Sequence, residues 1–339
     1  MTPRIPRRTL LAAGTAAALL PLARARAAAP LKINVGYFVE TKPTMIAKGL
    51  GWFAQDAKAT INWLEMGSGA EINTGIAAGS IDIGMAIGSS PVAAGISQGL
   101  PYQLIGMVDN IGPAEEMTVR KAAHIRTPKD FIGKKVATPF GSTSHFRLMG
   151  FLALNHLSQS QVTVLDMSPA QIVAAWQRGD IDAAYVWAPA KSKILADGGA
   201  VFRTYDVLDK AGYVIADLFV ASTGFASKNP GAVTGFLHAY GRALEMYRTQ
   251  PDAAAKVVAK QAGVSVDVAK TDLAQYDFVP LKTQLLPQWL GQPGKPGQFD
   301  AVLVRTAQFL AQQKSIRSAA AIDAFRKATN TTFLANAAS

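Results

Sequence analysis

The segments "AGSIDIGMAIGSSP" (78–91) and "RGDIDAAYVWAPA" (178–190) build the same device twice: Gly79, Ile81 and Asp82 recur as Gly179, Ile181 and Asp182. In each, a glycine stops an apolar, helix-like run, a β-rich run follows, and a short loop closes at a proline, Pro91 or Pro189. Helices commonly stop at glycine, and strands alternating with helices of this length form α/β layers. In an open α/β sheet, ligands bind outside the carboxyl ends of the strands. The two closing loops are therefore the places to look for a ligand. They differ in chemistry, one ending in Gly88, Ser89 and Ser90, the other in Tyr185, Trp187 and Pro189. Two lobes facing across a cleft, each gripping a different end of one ligand, account for both the repeat and the difference.

The rest of the chain fits that frame. "KINVGYF" (32–38) reads as a strand, and further strand and helix runs alternate up to residue 120. The pattern restarts in "TPKDFIGKKVATPFGSTSHFRLMGFLALNHL" (127–157). After "DLFVAS" (217–222) the composition turns helical, with a Pro/Gly-rich break at "LGQPGKPGQ" (290–298). The expectation is an α/β protein with largely parallel sheets.

The first residues, "MTPRIPRRTLLAAGTAAALLPLARARAAAP", stand apart. A basic start, an apolar middle from Leu10 to Leu22 and an A-x-A-like stretch at Ala25-Arg26-Ala27 make residues 1–29 an export signal. The Arg7-Arg8 pair fits a twin-arginine signal as well as an ordinary Sec signal. Removing this segment takes away five arginines and no acid, so the net charge of +11 falls to +6. The remaining basic residues are scattered, which argues against nucleic acid as a partner. The chain has no cysteine, and its four histidines (124, 145, 156 and 238) lack metal-ligand spacing, so no metal or cofactor is expected. The expected location is a bacterial periplasm, as a released monomer.

Gly95-Ile96-Ser97-Gln98-Gly99 matches the G-x-S-x-G pattern of hydrolases, but that pattern needs a strand before its serine, and here a helix precedes it. The loop "FGSTSH" (140–145) is more telling. It joins a strand to a helix, and Ser142, Thr143 or Ser144 can cap that helix, with His145 closing the loop. Free N–H groups and hydroxyls at a helix N-terminus suit an anion. "GSSP" (88–91) repeats the arrangement, with Ser90 as cap and Pro91 at the first position of the helix. Each loop alone would be ordinary capping; two at equivalent places in opposed lobes point to an anion site. Trp187 is read as a wall of the cleft and Trp176 as core. Asp82 and Asp182 are read as turn residues. Asp217 stands in the apolar run "GYVIADLFVAS" with no basic neighbour, and so needs a partner from afar, an arginine of the chain or the amine of a ligand.

At this point "IGSSPVAAGISQGLPYQLI", "GKKVATPFGSTSHFRL" and "IVAAWQRGDIDAAYVWAPA" closely resemble the periplasmic taurine-binding proteins of ABC importers, within the wider sulfonate, nitrate and taurine binding family. The resemblance implies the type II periplasmic binding-protein fold: two α/β lobes, 30–120 with 218–339 and 121–217, closing on a ligand in the cleft between them. It implies no enzyme activity, and delivery of the ligand to a permease in the inner membrane. It places Ser89, Ser90, Ser142, Thr143 and Ser144 around a sulfonate, Trp187 along the cleft, and Asp217 with Glu115 at the ligand's ammonium. One stretch departs. "FVETKP" has Lys42 before the proline, where the family has an acid, and Glu40 two residues earlier. Either Glu40 takes over the amine contact or this loop reads another ligand, such as a different sulfonate or nitrate.

Overall fold

The structure, a computed structural model, describes residues 30–339. The expected export signal of residues 1–29 lies outside the described residues.

The first sheet begins with β1 (Leu31–Tyr37), followed by helices α1 (Thr44–Gly49) and α2 (Trp52–Ala57). Strand β2 (Ala59–Glu65) leads through α3 (Gly69–Ala77) to β3 (Ile83–Gly88), α4 (Ser89–Ser97) and β4 (Tyr102–Asn110). The second sheet holds β5 (Met117–Arg120) and β6 (Lys135–Thr138). Helix α5 (Thr143–Leu154), β7 (Thr163–Asp166), α6 (Pro169–Arg178), β8 (Ala183–Tyr185), α7 (Ala190–Ala196) and β9 (Gly199–Phe202) follow. After α8 (Tyr205–Lys210), the chain returns to the first sheet as β10 (Ala216–Ser222). Helices α9 (Thr223–Lys228) and α10 (Pro230–Thr249) and a short β11 (Asp277–Phe278) complete the labelled elements.

The strand orders are β11-β4-β10-β3-β1-β2 and β7-β6-β8-β5-β9. Within each sheet the βα units pair in parallel, β1 with β2 and β3, and β6 with β7 and β8. The two strands entered from the other sheet, β5 and β10, run antiparallel to their neighbours. The chain arrives there from the cleft end, so it can only run back against the strands already laid down. Sheets mixed in this way differ from the largely parallel ones expected. The second sheet also starts at Met117, four residues before the expected boundary at 121, and the first sheet resumes at Ala216.

The two repeated turns do the same work in each lobe. Asp82 Oδ2 accepts the N–H of Asn34 on β1 (2.8 Å), and Asp182 Oδ2 accepts the N–H of Lys135 on β6 (2.9 Å). Each carboxylate ties a helix-to-strand turn to the neighbouring parallel strand, as a structural reading requires. Trp176 is fully buried, its indole N–H donating to the carbonyl of Asp197 (2.8 Å). Ser97 ends α4 and accepts the N–H of Ala320, so the G-x-S-x-G pattern holds a helix terminus in place.

Candidate functional site

The carboxyl ends of β1, β3 and β4 face those of β6 and β8, and the segments leaving them meet around an interior cavity of about 20 Å³, room for one water-sized molecule. Its walls include Phe38 and Glu40 after β1, Gly88 at the end of β3, Glu115 between the sheets, Asp217 on β10, and Trp187 after β8. Ser142 and Thr143 close it at the start of α5.

Strand register assembles the acidic side. Asp217 lies opposite Gly88 on β3 and opposite Asp109 on β4, beside an irregularity in the β10 pairing. Three buried carboxylates, Glu40, Asp109 and Asp217, thereby converge on one ammonium, that of Lys42. Lys42 Nζ donates to Asp217 Oδ2, and stands 3.0 Å from Asp109 Oδ2 and 3.4 Å from Glu40 Oε1, 4.5 Å from the centre of the Tyr276 ring. Asp217 does have the distant partner that the sequence reading called for, a lysine rather than an arginine. Its partner is Lys42, and 175 positions of chain separate the two.

Burial governs this cluster's protonation. It pushes the Asp109 carboxyl up to about 8 against the pull of Lys42. Burial likewise holds Glu40 well above the ordinary carboxylate range and raises Asp217, with Lys42 opposing both. The three neighbouring acids keep Lys42 protonated, overcoming its own burial. Ionising all three acids around one lysine would leave uncompensated charge in a dry interior, which is costly. Of the three acids, Asp217 is the one that accepts a hydrogen bond from Lys42.

Glu115 is the fourth acid. Thr143 and Ser144 donate their hydroxyls to its two oxygens, each at 2.8 Å, and burial raises its pKa. The loops resolve the capping question. Ser142 caps α5, accepting the N–H of His145 (3.1 Å) and donating to the carbonyl of Pro139 (2.6 Å). In the other loop Gly88, not Ser90, is the cap, because α4 already begins at Ser89. Ser89 Oγ accepts the N–H of Ala216 (3.2 Å). The hydroxyl of Ser90, one residue inside the helix, is buried and has no partner among the described residues.

Seven of the expected residues thus line the cavity: Glu40, Gly88, Glu115, Ser142, Thr143, Trp187 and Asp217. Lys42, Ser89 and Ser144 stand behind the wall and hold it. Ser90, with Ser142 and His145, lines an adjoining groove of about 550 Å³ between the lobes. His145 stacks on Phe140 with ring centres 4.4 Å apart, and burial pulls its pKa down to about 4, so its imidazole is neutral. Phe38, Asp109, Lys191 and Tyr276 were not expected. Phe38 meets Trp187 edge-on across the cavity, with ring centres 5.7 Å apart. Lys191 on α7 donates to the Ala114 carbonyl and to Gln275 Oε1 (2.6 Å), and Ser192 donates to Asp272 Oδ1 (2.6 Å). Asp109, at the end of the apolar run "LIGMVD", carries the same signal that picked out Asp217.

The lobes are closed on each other at this site. A Cβ placed on Gly88 would lie 2.6 Å from Thr143 Cγ2, and one on Gly141 2.8 Å from Ala70 Cβ. Among the described residues no group of His, Cys, Asp or Glu forms a metal site, and no helix is long and apolar enough to cross a membrane.

Residues 39–254, which hold all of the second sheet, most of the first and all four acids, match the family model described as NMT1/THI5 like. The chain belongs to the NMT1/THI5-like family. Among relatives, it is 34% identical over 294 residues to the taurine-binding periplasmic protein of Escherichia coli (strain K12), covering 86% of this chain and 89% of that protein. In structure it is similar to the alkanesulfonate-binding protein SsuA from Xanthomonas axonopodis pv. citri bound to MOPS. That match has a TM-score of 0.73 and 24% identity, and covers 90% of this chain and 100% of that one. The desulfurization enzyme DSZB also shares the fold, with a TM-score of 0.61 and 17% identity over 91% of this chain and 98% of that one. The two-lobed α/β fold expected from the resemblance is the one found, and it is a fold that serves binding proteins and an enzyme alike.

Proposed function

We propose that the chain is the periplasmic solute-binding component of an ABC importer, and that its ligand is a small amino-sulfonate of the taurine type. The observation that carries this reading is the pair of chemistries that the cavity wall brings together. Three carboxylates, Glu40, Glu115 and Asp217, line it with the Phe38 and Trp187 rings, and Gly88, Ser142 and Thr143 bring the N-terminal ends of α4 and α5 to the same wall. An ammonium suits the first set and a sulfonate the second. The taurine-binding relative supports the same ligand class.

Asp217 and Glu115 receive the ammonium. Asp217 has one oxygen on Lys42, and among the described residues its Oδ1 accepts no hydrogen bond. Ser90, whose hydroxyl has no partner among the described residues, donates to the sulfonate along with the first N–H groups of α4 and α5. Glu115 occupies the hydroxyls of Thr143 and Ser144, so these contribute by holding the acid rather than by facing the anion directly. Taurine exceeds a one-water cavity, so the lobes part to admit it and close over it, turning in the crossover segments near residues 115–121 and 216–222. The closed form then docks on a membrane permease. Binding rather than catalysis fits a wall of carboxylates and rings with no cysteine nucleophile.

A second reading has its own observation: Lys42 already supplies an ammonium to the acids, which would suit a sulfonate lacking an amine. Thermal denaturation with taurine, alkanesulfonates, nitrate, sulfate and a diamine separates these. Ligands that bind only the folded chain raise its melting temperature by mass action. The expected outcome is a rise with taurine that exceeds every other; an equal rise with nitrate or sulfate overturns the proposal.

A further inference from the structure

The acid cluster holds one cation, and its placement is informative. Glu40, Glu115 and Asp217 line the cavity, whereas Lys42 and Asp109 do not. Lys42 is 1% exposed, its ammonium spent on Asp217 Oδ2 and on the two neighbouring acids beside the Tyr276 ring. A lysine competing for the ligand's place would project into the cavity. This one backs its wall.

We infer that Lys42 is a positioning residue for ligand specificity: it holds Asp217 ionised, with one oxygen bound from behind and the other left to a ligand ammonium. The inference rests on the amino-sulfonate reading above and names the residue that makes that reading workable. The groups facing Asp217 decide its charge. From the segment after β1 come Glu40 and Lys42, from β4 Asp109, and from the crossover Glu115. Tyr240 of α10 completes its surroundings, and Tyr276, from the segment before β11, covers Lys42, both phenols raised by burial and therefore neutral. Lys42 is the only cation in that set. Burial favours the protonated acid, and Lys42 alone opposes it. Without Lys42 the carboxyl that meets the ligand would carry a proton at neutral pH. It would then present no charge to an ammonium, while a ligand lacking the amine would lose nothing.

This asymmetry defines the test. Taurine and ethanesulfonate are titrated calorimetrically into the wild type and into Lys42→Met between about pH 6 and about pH 9. The expected result is a loss of taurine affinity of at least about tenfold at pH ~7, recovering as the pH rises and Asp217 ionises. Ethanesulfonate affinity should stay within about threefold throughout. If Lys42→Met fails to fold, the triple variant Lys42→Met, Glu40→Gln, Asp109→Asn removes the surplus buried acids and carries the same expectation. Unchanged or tighter taurine binding by the variant overturns the inference, since Lys42 would then be a competitor of the ligand. So does an equal loss for both ligands at every pH, which is the signature of a merely structural lysine. If the wild type binds neither sulfonate, the amino-sulfonate reading falls and the role of Lys42 with it. Wild-type taurine binding with an indifferent Lys42→Met sinks the role alone.

Discussion

Gly88→Ala should weaken ligand binding without unfolding the protein, because the only atoms in its way belong to the opposite lobe or give easily. Gly88 sits at φ −61° and ψ 153°, a conformation alanine adopts freely. Its added Cβ would lie 2.6 Å from Thr143 Cγ2, with Thr143 Oγ1 at 3.4 Å and Pro91 Cδ at 3.5 Å. Carbon atoms rest about 3.5–4.0 Å apart, so the overlap with Thr143 is ~1 Å. Thr143 cannot simply rotate away, since its hydroxyl is engaged with Glu115 at 2.8 Å. Overpacking of this kind costs about 1–3 kcal/mol. Charged to the closed state alone, that becomes a loss of affinity of about 5- to 140-fold. Calorimetry with taurine measures it, alongside the melting temperature of the ligand-free chain. Thr143→Ser removes Cγ2 and keeps the hydroxyl, so the double variant should regain most of the lost affinity. Wild-type affinity in Gly88→Ala, or a double variant as weak as the single, would refute closure of the lobes through this contact.

Three further outcomes follow from the same geometry. Asp217→Asn keeps the shape of the wall and removes its charge, so taurine affinity measured by calorimetry should drop by about 2–5 kcal/mol while ethanesulfonate gains relative to it; an unchanged ratio of the two would place the amine elsewhere. Ser90→Ala removes a hydroxyl with no partner among the described residues, so the ligand-free melting temperature should hold while binding weakens by about 1.5–3 kcal/mol. Asp109, at about 8 in the folded chain, binds a proton that the unfolded chain releases near pH ~4. Its contribution to stability is therefore present at low pH and lost as pH rises through about 8, so melting temperatures across that range should fall, and Asp109→Asn should flatten the decline.

Much of this architecture was legible in the sequence because its signals are local. The two Gly-x-Ile-Asp turns announced two α/β lobes, and Asp82 and Asp182 hold equivalent strands in them. Trp187, Glu115, Thr143 and Asp217 line the small cavity between the lobes. What could not be read depends on strands brought together by tertiary pairing. Lys42 and Asp217 meet only because β10 is inserted between β3 and β4, and the same register sets Asp109 beside them. A carboxylate in an apolar run shows that a partner is needed, but the run does not say which residue the sheet will supply. The choice of cap was equally hidden: α4 begins two residues earlier than "SSP" suggests, which releases Ser90 from capping.

The central claim is that one ligand is held at both ends, its ammonium by Asp217 and Glu115 and its sulfonate by the starts of α4 and α5. Calorimetric titration of the wild type with taurine, ethanesulfonate and ethylamine tests it most directly, since the last two each carry one of taurine's ends. The account predicts that taurine binds at least about 100-fold tighter than either, because each single-ended analogue leaves buried polar groups unpaired at the end it lacks. Ethanesulfonate or ethylamine binding within about threefold of taurine would contradict it, for then one half of the site would be doing no recognition.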